Sequence, residues 1–224
     1  MKNKYTPKKN WPNIYFKDRL GNNYLRLKQF QIDKKLINEF ILKGKICDVG
    51  CSTGEFLDSI DWKKNAYGME TNEYAKKIAS RFISFKKDIF NSKNFFDLII
   101  FRGTIQHIDE PFNFIKKSYS ALKKGGYIIF LSVPNGNSPL FRIKQTLPVL
   151  HKNEGLIYYI PRDNEMINCL NNFGFKLKKI EYPYINTPYE NFVSDHLKFL
   201  INIFSNKFIP HAFWRSSFNI VCKK

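Results

Sequence analysis

Residues 45–57 read KICDVGCSTGEFL, and this stretch decides the fold. It opens with an apolar run over residues 46–49, which predicts a short strand buried inside a parallel sheet. A turn of small residues follows over residues 50–54, where the backbone can approach a ligand without interference from Cβ atoms. Glu55 then begins a helical pattern with acidic residues in its first turn. Strand, glycine turn and helix, in this order, are how α/β folds hold a nucleotide-like ligand at the end of their first strand.

A second short strand ends in a carboxylate. Residues 66–70 read AYGME, so Glu70 closes the strand. Glu70 lies roughly 20 residues after Asp48, which is the spacing at which a βαβ unit places an acid on the hydroxyls of a ribose. A carboxylate can accept hydrogen bonds from both hydroxyls, but it would repel a 2′-phosphate. An ordinary exposed acid at a strand end is the alternative interpretation of Glu70.

The two segments together resemble motifs I and II of class I S-adenosyl-L-methionine (SAM)-dependent methyltransferases that act on small molecules. The resemblance rests on DVGCSTGEF and on GME at the motif distance, and it extends from about Tyr24 to the C-terminus. Ser52 stands where the family often has its middle glycine, which is a mild departure because serine is also small. The resemblance implies SAM as cofactor, S-adenosyl-L-homocysteine as its product, and a binding set of Asp48, Gly50, Cys51, Ser52, Gly54 and Glu70.

The same resemblance implies further contacts with the cofactor. Asp88 and Ile89 stand where members of the family carry an acid for the adenine amino group and a residue that packs on the ring. Tyr24 and Arg26 lie in the segment that often covers the cofactor, so they are candidates to bind its methionine carboxylate. An ordinary surface pair is an equal alternative for these two. Arg102, which directly follows the apolar run over residues 95–101, completes the predicted cofactor set.

Residues 102–111, RGTIQHIDEP, resemble the family stretch written L-E-H-x-x-D-P, which lies beside the transferring methyl group. Gln106 replaces the common glutamate of a Glu–His pair that some relatives use to bind a metal. Because an amide oxygen is a poor ligand for a hard cation, we predict no metal. His107 is the candidate catalytic residue. It could take a proton from an oxygen or nitrogen nucleophile near neutral pH, or it could shape the pocket through local hydrogen bonds.

The whole pattern predicts an α/β fold, a single Rossmann-like domain with a seven-stranded, mostly parallel sheet and helices on both faces. Residues 95–101 read FFDLIIF, which is apolar on both faces as a central parallel strand must be. Residues 123–126, KKGG, predict the C-cap of the preceding helix, and residues 127–133 predict a fifth strand. The resemblance implies a reversed last strand, which we place over residues 213–222, antiparallel at the edge of the sheet.

We predict a flexible basic tail over residues 1–13 and one methyltransferase domain over residues 14–224. Residues 14–44 are the predicted N-terminal helical cover of the first strand, with Gly44 as the helix C-cap. Residues 136–160 form an insertion after the fifth strand that fits no common element, and they are the predicted substrate lid because long loops often carry specificity. The candidate substrate residues in it are Arg142, His151, Tyr158 and Tyr159.

Composition limits the class of protein. The chain has 224 residues and a hydrophobic fraction of 43%, which predicts a full core and argues against disorder. We expect a cytoplasmic protein with reduced thiols and no membrane span, because there is no long apolar run, no apolar signal region and no metal-ligand spacing of cysteines. The net charge of +18 has three explanations: a compositional bias toward lysine, an anionic small substrate, or a nucleic acid partner.

The leading hypothesis is a SAM-dependent methyltransferase that moves a methyl group to an oxygen or nitrogen atom of a small molecule. The resemblance extends to enzymes that decorate bacterial surface sugars, so a sugar or an anionic precursor of a surface glycan is the expected acceptor. The alternatives are an RNA methyltransferase that uses the basic surface, a non-catalytic SAM-binding protein and a nicotinamide dehydrogenase. The last two are disfavoured because the cofactor motifs are intact and the turn lacks a full G-x-G-x-x-G pattern.

Overall fold

The computed structural model describes residues 24–62, 65–85, 91–138, 160–182, 192–204 and 217–224, and the structural statements below concern these residues. The strands are β1 (Ile46–Val49), β2 (Ala66–Met69), β3 (Ser84–Phe85), β4 (Phe96–Arg102), β5 (Leu122–Pro134), β6 (Lys176–Glu181) and β7 (Ser217–Lys223). The helices are α1 (Tyr24–Asn38), α2 (Glu55–Ser59), α3 (Glu73–Ala79), α4 (Pro111–Ala121), α5 (Asp163–Asn172) and α6 (Phe192–Phe204). A 3-10 turn over Ile105–His107 follows β4.

In the described part of the chain, the strands form one seven-stranded sheet in the order β3-β2-β1-β4-β5-β7-β6. Neighbouring strands from β3 to β5 are parallel, whereas β7 is antiparallel to both β5 and β6. The predicted α/β fold with a reversed last strand is therefore confirmed.

The predicted place of the last strand at the edge of the sheet is wrong. β7 lies between β5 and β6, and β6 is the edge strand. Residues 218–222 of β7 are at most 3% exposed, so this strand needs cover on both faces and a neighbour on each side. β6 carries three exposed and three half-buried residues, which suits a solvent-facing edge.

Helices cover both faces of the sheet, as predicted, because side chains alternate along the central strands. In β4, Ile99 and Phe101 belong to a core cluster that includes residues of α4 and α5. Leu98 and Ile100 point to the opposite face and belong to a second cluster with residues of α1, α2 and α3. Asp48 follows the same alternation as Ile46, which packs in the second cluster, so its side chain lies on the α1 and α2 side of the sheet.

The predicted N-terminal cover is present as α1, but its predicted C-cap is wrong. α1 ends at Asn38, well before Gly44. Gly44 has φ 136°, and a Cβ at this position would lie 2.7 Å from Cβ of Asp97. Its carbonyl accepts a hydrogen bond from Trp62 Nε1 at 2.8 Å. Gly44 therefore lets the chain pass close to the start of β4 and does not end a helix.

The second predicted glycine cap is also wrong. α4 ends at Ala121, and β5 begins at Leu122, so residues 123–126 lie inside the strand. Gly125 has φ 81°, and its N–H donates to the carbonyl of Lys224 at 3.1 Å. The pairing of β5 with the C-terminal end of the chain, which is remote in sequence, extends the strand backward over residues that read locally as a helix end.

None of the described helices has both the length and the apolar character needed to cross a bilayer.

Candidate functional site

The turn after β1 is tied to the ends of β2 and β4. Gly50, Ser52 and Gly54 all have positive φ, at 76°, 52° and 81°. The N–H groups of Gly50 and Cys51 donate to the carbonyl of Met69, the last residue of β2, at 2.8 and 3.0 Å. A Cβ on Gly50 would lie 2.4 Å from Cγ2 of Thr104, which follows β4. The packing of the protein itself therefore requires a glycine at position 50, apart from any contact with a cofactor.

Glu70 lies directly after β2 and holds this turn in place. Its Oε2 accepts a hydrogen bond from the N–H of Ser52 at 3.0 Å. Its Oε1 accepts from the N–H groups of Thr71 and Asn72 at 2.8 and 2.9 Å. A carboxylate offers about four acceptor positions, so these bonds leave one for a further donor. Glu70 thus joins the turn after β1 to the start of α3, where Asn72 is the N-cap.

A pocket of about 50 Å³ lies between α1, the turn after β1, the start of α2 and the end of β4. Such a volume holds about three to five water-sized groups. Part of its lining consists of predicted cofactor residues: Arg26, Asp48, Gly50, Cys51, Ser52 and Arg102. The other lining residues were not predicted: Phe30, Thr53, Glu55 and Phe56. Phe30 belongs to the predicted helical cover, but its sequence pattern alone marks it only as apolar.

Two arginines of this pocket are each paired with a carboxylate. Arg26 Nη2 lies 2.5 Å from Oε2 of Glu55. Arg102 Nε donates to Oδ2 of Asp33 at 2.8 Å. Asp33 is 1% exposed, and its Oδ1 accepts a second hydrogen bond from Gln29 Nε2 at 2.9 Å. The structure therefore brings together two cations, from α1 and β4, that are remote in sequence.

Aromatic rings hold the Arg102 guanidinium in position. Its Cζ lies 4.5 Å from the ring centroid of Phe30 and 5.2 Å from that of Phe56. Rings at these distances attract a cation and restrict its movement. Arg102 therefore presents a fixed positive charge on the pocket wall.

Asp48 is the buried acid of the pocket. It is 2% exposed, and its Oδ1 has no hydrogen-bond partner among the described residues. Burial raises the pKa of Asp48 to about 7, although nearby Arg102 lowers it in part and Glu70 raises it further. Within the same described ranges, Ser52 Oγ is a second buried atom without a partner. Buried polar atoms cost free energy unless a ligand or water satisfies them, so this pair indicates a binding site.

His107, the predicted catalytic residue, lies in the 3-10 turn just beyond Arg102. Its N–H donates to the carbonyl of Thr104 at 2.8 Å. Its ring Nε2 lies 3.2 Å from Nε2 of Gln106, which is 5% exposed. His107 is half-buried and lies at the same sheet edge as the pocket, but it is not among the residues that line the pocket.

A buried polar cluster, which sequence reasoning did not predict, follows the end of β5. Asp163 accepts hydrogen bonds from the Tyr182 hydroxyl at 2.6 Å, from Asn137 Nδ2 at 2.7 Å and from the N–H of Asn164 at 2.9 Å. Burial alone would raise the pKa of Asp163, but the bonds from Tyr182 and Asn137 lead a set that lowers it below its usual value. The only signal in the sequence is an acid in the first turn of α5.

Several predicted site residues lie outside the described residues. These are Asp88 and Ile89 of the predicted adenine site and the predicted substrate residues Arg142, His151, Tyr158 and Tyr159. Tyr24 begins α1, but its side chain is not among those described. The roles of these residues therefore stay predictions. In the described ranges, no group of three or more His, Cys, Asp or Glu side chains is placed to hold a metal ion.

Comparison with known proteins places the chain in a family. A model of the methyltransferase domain matches residues 22–180. The carboxy-S-adenosyl-L-methionine synthase of Campylobacter hominis is 37% identical in an alignment of 101 positions, which covers 39% of this chain and 43% of that relative. The chain thus covers less than half the length of this curated relative.

Solved structures share the fold at lower identity. A SAM-dependent methyltransferase from Thermotoga maritima is 18% identical, with a TM-score of 0.62 and 94% of each chain covered. One from Archaeoglobus fulgidus is 20% identical, with a TM-score of 0.56 and with 91% of this chain and 100% of that chain covered. At these identities the likeness concerns the fold alone. Because the family model matches well over half of the residues, the chain belongs to the methyltransferase domain family.

Proposed function

We propose that this enzyme transfers the methyl group of SAM to an oxygen or nitrogen atom of a small molecule, and that the acceptor is a sugar or an anionic precursor of a bacterial surface glycan. The observation that carries the proposal is the composition of the pocket between β1 and β4. Its charges and its unsatisfied acceptor atoms suit the amino-acid end of SAM. The acceptor would then meet the cofactor at the same edge of the sheet.

The pocket fits a zwitterion. The amino-acid end of SAM carries an ammonium group and a carboxylate. Asp48 Oδ1 and Ser52 Oγ, which lack partners among the described residues, are acceptors for the ammonium. Arg26 and Arg102 are the cations for the carboxylate. The volume of about 50 Å³ suits this end of SAM and not the whole molecule, so the adenosine belongs toward Glu70.

The residues of the chain have two tasks in such a transfer. SAM supplies an electrophilic methyl group on a sulfonium. The protein must hold the acceptor atom in line behind that methyl group and exclude water, and this is chiefly proximity and orientation. Glu70 supports the first task, because its hydrogen bonds to the backbone of Ser52 and Asn72 keep the turn in a single position. Phe30 and Phe56 support the second, because they cover the pocket with apolar surface.

The curated relative favours a small acceptor over RNA. The relative from Campylobacter hominis is a carboxy-S-adenosyl-L-methionine synthase, and the product in that name is a small molecule.

A labelled-cofactor screen tests this proposal. The full chain is incubated with methyl-labelled SAM and with nucleotide sugars, anionic metabolites and total RNA in parallel, and the labelled product is identified by mass spectrometry. We expect label on a small molecule with the natural chain and none with Ser52→Phe, in which a bulky ring fills the pocket. Label on RNA alone would overturn the proposal in favour of the nucleic-acid alternative. Binding of S-adenosyl-L-homocysteine without transfer to any acceptor would overturn it as well.

A further inference from the structure

We propose that Gln106 holds His107 as a neutral imidazole with its proton on Nδ1. His107 then serves methyl transfer as a hydrogen-bond donor and orienting group, and not as a general base through Nε2. The tautomer follows from the geometry alone, whereas its consequence for catalysis rests on the proposed function.

The turn that carries both residues is packed into the protein. Ile105–His107 form a 3-10 turn that begins three residues after the end of β4, and Ile105 is fully buried. Gln106 is 5% exposed, so its amide group has a defined position. Its Nε2 lies 2.9 Å from the carbonyl oxygen of Gly103 and 3.2 Å from Nε2 of His107.

The carbonyl of Gly103 decides which way the Gln106 amide faces. A carbonyl oxygen only accepts, so the amide nitrogen and not the amide oxygen must lie against it. The opposite orientation would place two oxygen atoms 2.9 Å apart and would leave the amide nitrogen without an acceptor. The orientation in the structure makes two hydrogen bonds and leaves a single atom, Oε1, without a partner among the described residues.

The Nε2 atom of Gln106 then decides the tautomer of His107. An amide nitrogen carries two hydrogens, and one of them is directed to Gly103. The second is available for Nε2 of His107, which must accept it with a lone pair. A proton on Nε2 would face the N–H of Gln106. The neutral ring therefore carries its single proton on Nδ1.

The residue type at position 106 selects the tautomer of His107 that carries its proton on Nδ1. A carboxylate at this position could only accept, so it would favour a proton on Nε2 and would make the ring a better base. Glutamine does the opposite, because it occupies the lone pair that a base would use. Gln106 is therefore a positioning residue that acts through His107.

Nitrogen NMR of the full chain tests the tautomer without any acceptor. The histidine rings are labelled with ¹⁵N, and spectra are recorded about 1.5 pH units above the ordinary histidine pKa, with and without S-adenosyl-L-homocysteine. The His107 signals are identified by their loss in His107→Asn. We expect Nε2 to resonate as an unprotonated ring nitrogen and Nδ1 as a protonated one. A protonated Nε2 in the natural chain would overturn the proposal.

Two substitutions of Gln106 test whether this residue sets the tautomer of His107. Gln106→Glu should move the proton of His107 to Nε2, because the carboxylate accepts a hydrogen bond. Gln106→Met has a similar volume but no hydrogen-bonding amide, so it should leave a mixture of both tautomers. Melting temperatures of the two variants show whether each one is folded. A ring that keeps its Nδ1 proton in both folded variants would show that Gln106 does not set the tautomer.

Two substitutions of His107 test the consequence for catalysis. An asparagine amide reaches the place of Nδ1, whereas a glutamine amide reaches the place of Nε2. With an acceptor from the labelling screen, we expect His107→Asn to keep kcat within about tenfold and His107→Gln to lose more. A loss of about 10²–10⁴-fold in the kcat of both variants would instead show that His107 acts as a general base. If S-adenosyl-L-homocysteine fails to bind while the tautomer is as expected, the proposed function fails and the tautomer assignment stands.

Discussion

Asp48 shows how one residue can be costly for the fold and useful for a site. The carboxyl lies 2% exposed at the end of β1, and one of its oxygen atoms lacks a partner among the described residues. A buried carboxylate in this state destabilises the folded chain when it is ionised. A cationic ligand group would relieve that cost. The free energy of ligand binding therefore offsets the cost of burying the Asp48 carboxylate.

The stability of the protein should depend on Asp48 with a defined sign. Because burial raises the pKa of Asp48 from 3.8 to about 7, the folded chain binds this proton more tightly than the unfolded chain does. The contribution of protonated Asp48 to the stability of the folded chain is therefore complete below pH 3.8, and it is lost as the pH rises from 3.8 to about 7. Compared with Asp48→Asn, the natural chain should lose roughly 1–3 kcal/mol of unfolding free energy between about pH 5 and about pH 8 in urea titrations.

Asp163→Asn is the matched control for this experiment. The pKa of Asp163 lies below its ordinary value, so this carboxyl stays ionised across the same interval in both the folded and the unfolded chain. Its substitution should lower stability by the same amount at both pH values. A constant difference between the natural chain and Asp48→Asn would contradict the assignment of a raised pKa to Asp48.

Glu70→Ala should weaken cofactor binding and destabilise the turn after β1 together. The carboxylate accepts hydrogen bonds from three backbone N–H groups, and it is also the predicted partner of the ribose. We expect a loss of roughly 1–3 kcal/mol in the affinity for S-adenosyl-L-homocysteine by calorimetry, and a similar loss in unfolding free energy. Glu73→Ala, which removes an acid whose side chain is 82% exposed, should change neither quantity. Unchanged affinity in Glu70→Ala would contradict the ribose assignment.

At the scale of elements, the close approach of the turn after β1 to Thr104, the second residue after β4, explains the first glycine of the motif. Gly50→Ala should destabilise the chain more than Gly103→Ala does. Both residues have positive φ, but a Cβ on Gly103 has no neighbour nearer than 4.0 Å, whereas one on Gly50 would meet Thr104 at 2.4 Å. The left-handed backbone costs either variant about 1–2 kcal/mol, and the clash should add roughly 1–3 kcal/mol in Gly50→Ala.

A double-mutant cycle separates these two causes. Thr104→Ala in the Gly50→Ala background removes the Cγ2 and Oγ1 atoms that the new Cβ would meet at 2.4 and 2.6 Å. It should recover part of the lost stability, with a coupling free energy of about 0.5–3 kcal/mol in chemical denaturation. Purely additive effects would mean that backbone strain alone accounts for the stability lost in Gly50→Ala.

At the scale of the whole molecule, the net charge of +18 is the dominant long-range property. Such a charge attracts any polyanion, but attraction alone is not recognition. Binding of RNA should therefore be weak, independent of sequence, and lost by about 10³-fold or more between about 50 and 200 mM salt in fluorescence anisotropy. Arg26→Ala should leave this binding unchanged, because Arg26 lies in the pocket and pairs with Glu55. Tight binding that resists salt and prefers one sequence would instead support the RNA alternative.

The predictions that succeeded depended on local patterns. The apolar run before Gly50 and the doubly apolar segment of β4 identified the parallel core, because a strand covered on both faces must be apolar at nearly every position. The helix C-caps predicted at Gly44 and at residues 123–126 were wrong. A glycine after a helical pattern is a cap only if the residue does not pack against or pair with a distant strand. Asp97 near Gly44 and Lys224 bonded to Gly125 are partners from remote parts of the chain.

The sequence by itself determined the family, the parallel core and the identity of the turn and the acid that follow β1 and β2, because these depend on residue type and on short spacing. Only the tertiary structure decided that β7 is inserted beside β5, that Arg26 and Arg102 share one pocket, and that Asp48 is buried without a partner among the described residues. It also decided which nitrogen of His107 faces Gln106. Each of these depends on which distant groups meet and how much water they exclude, and no local pattern carries that information.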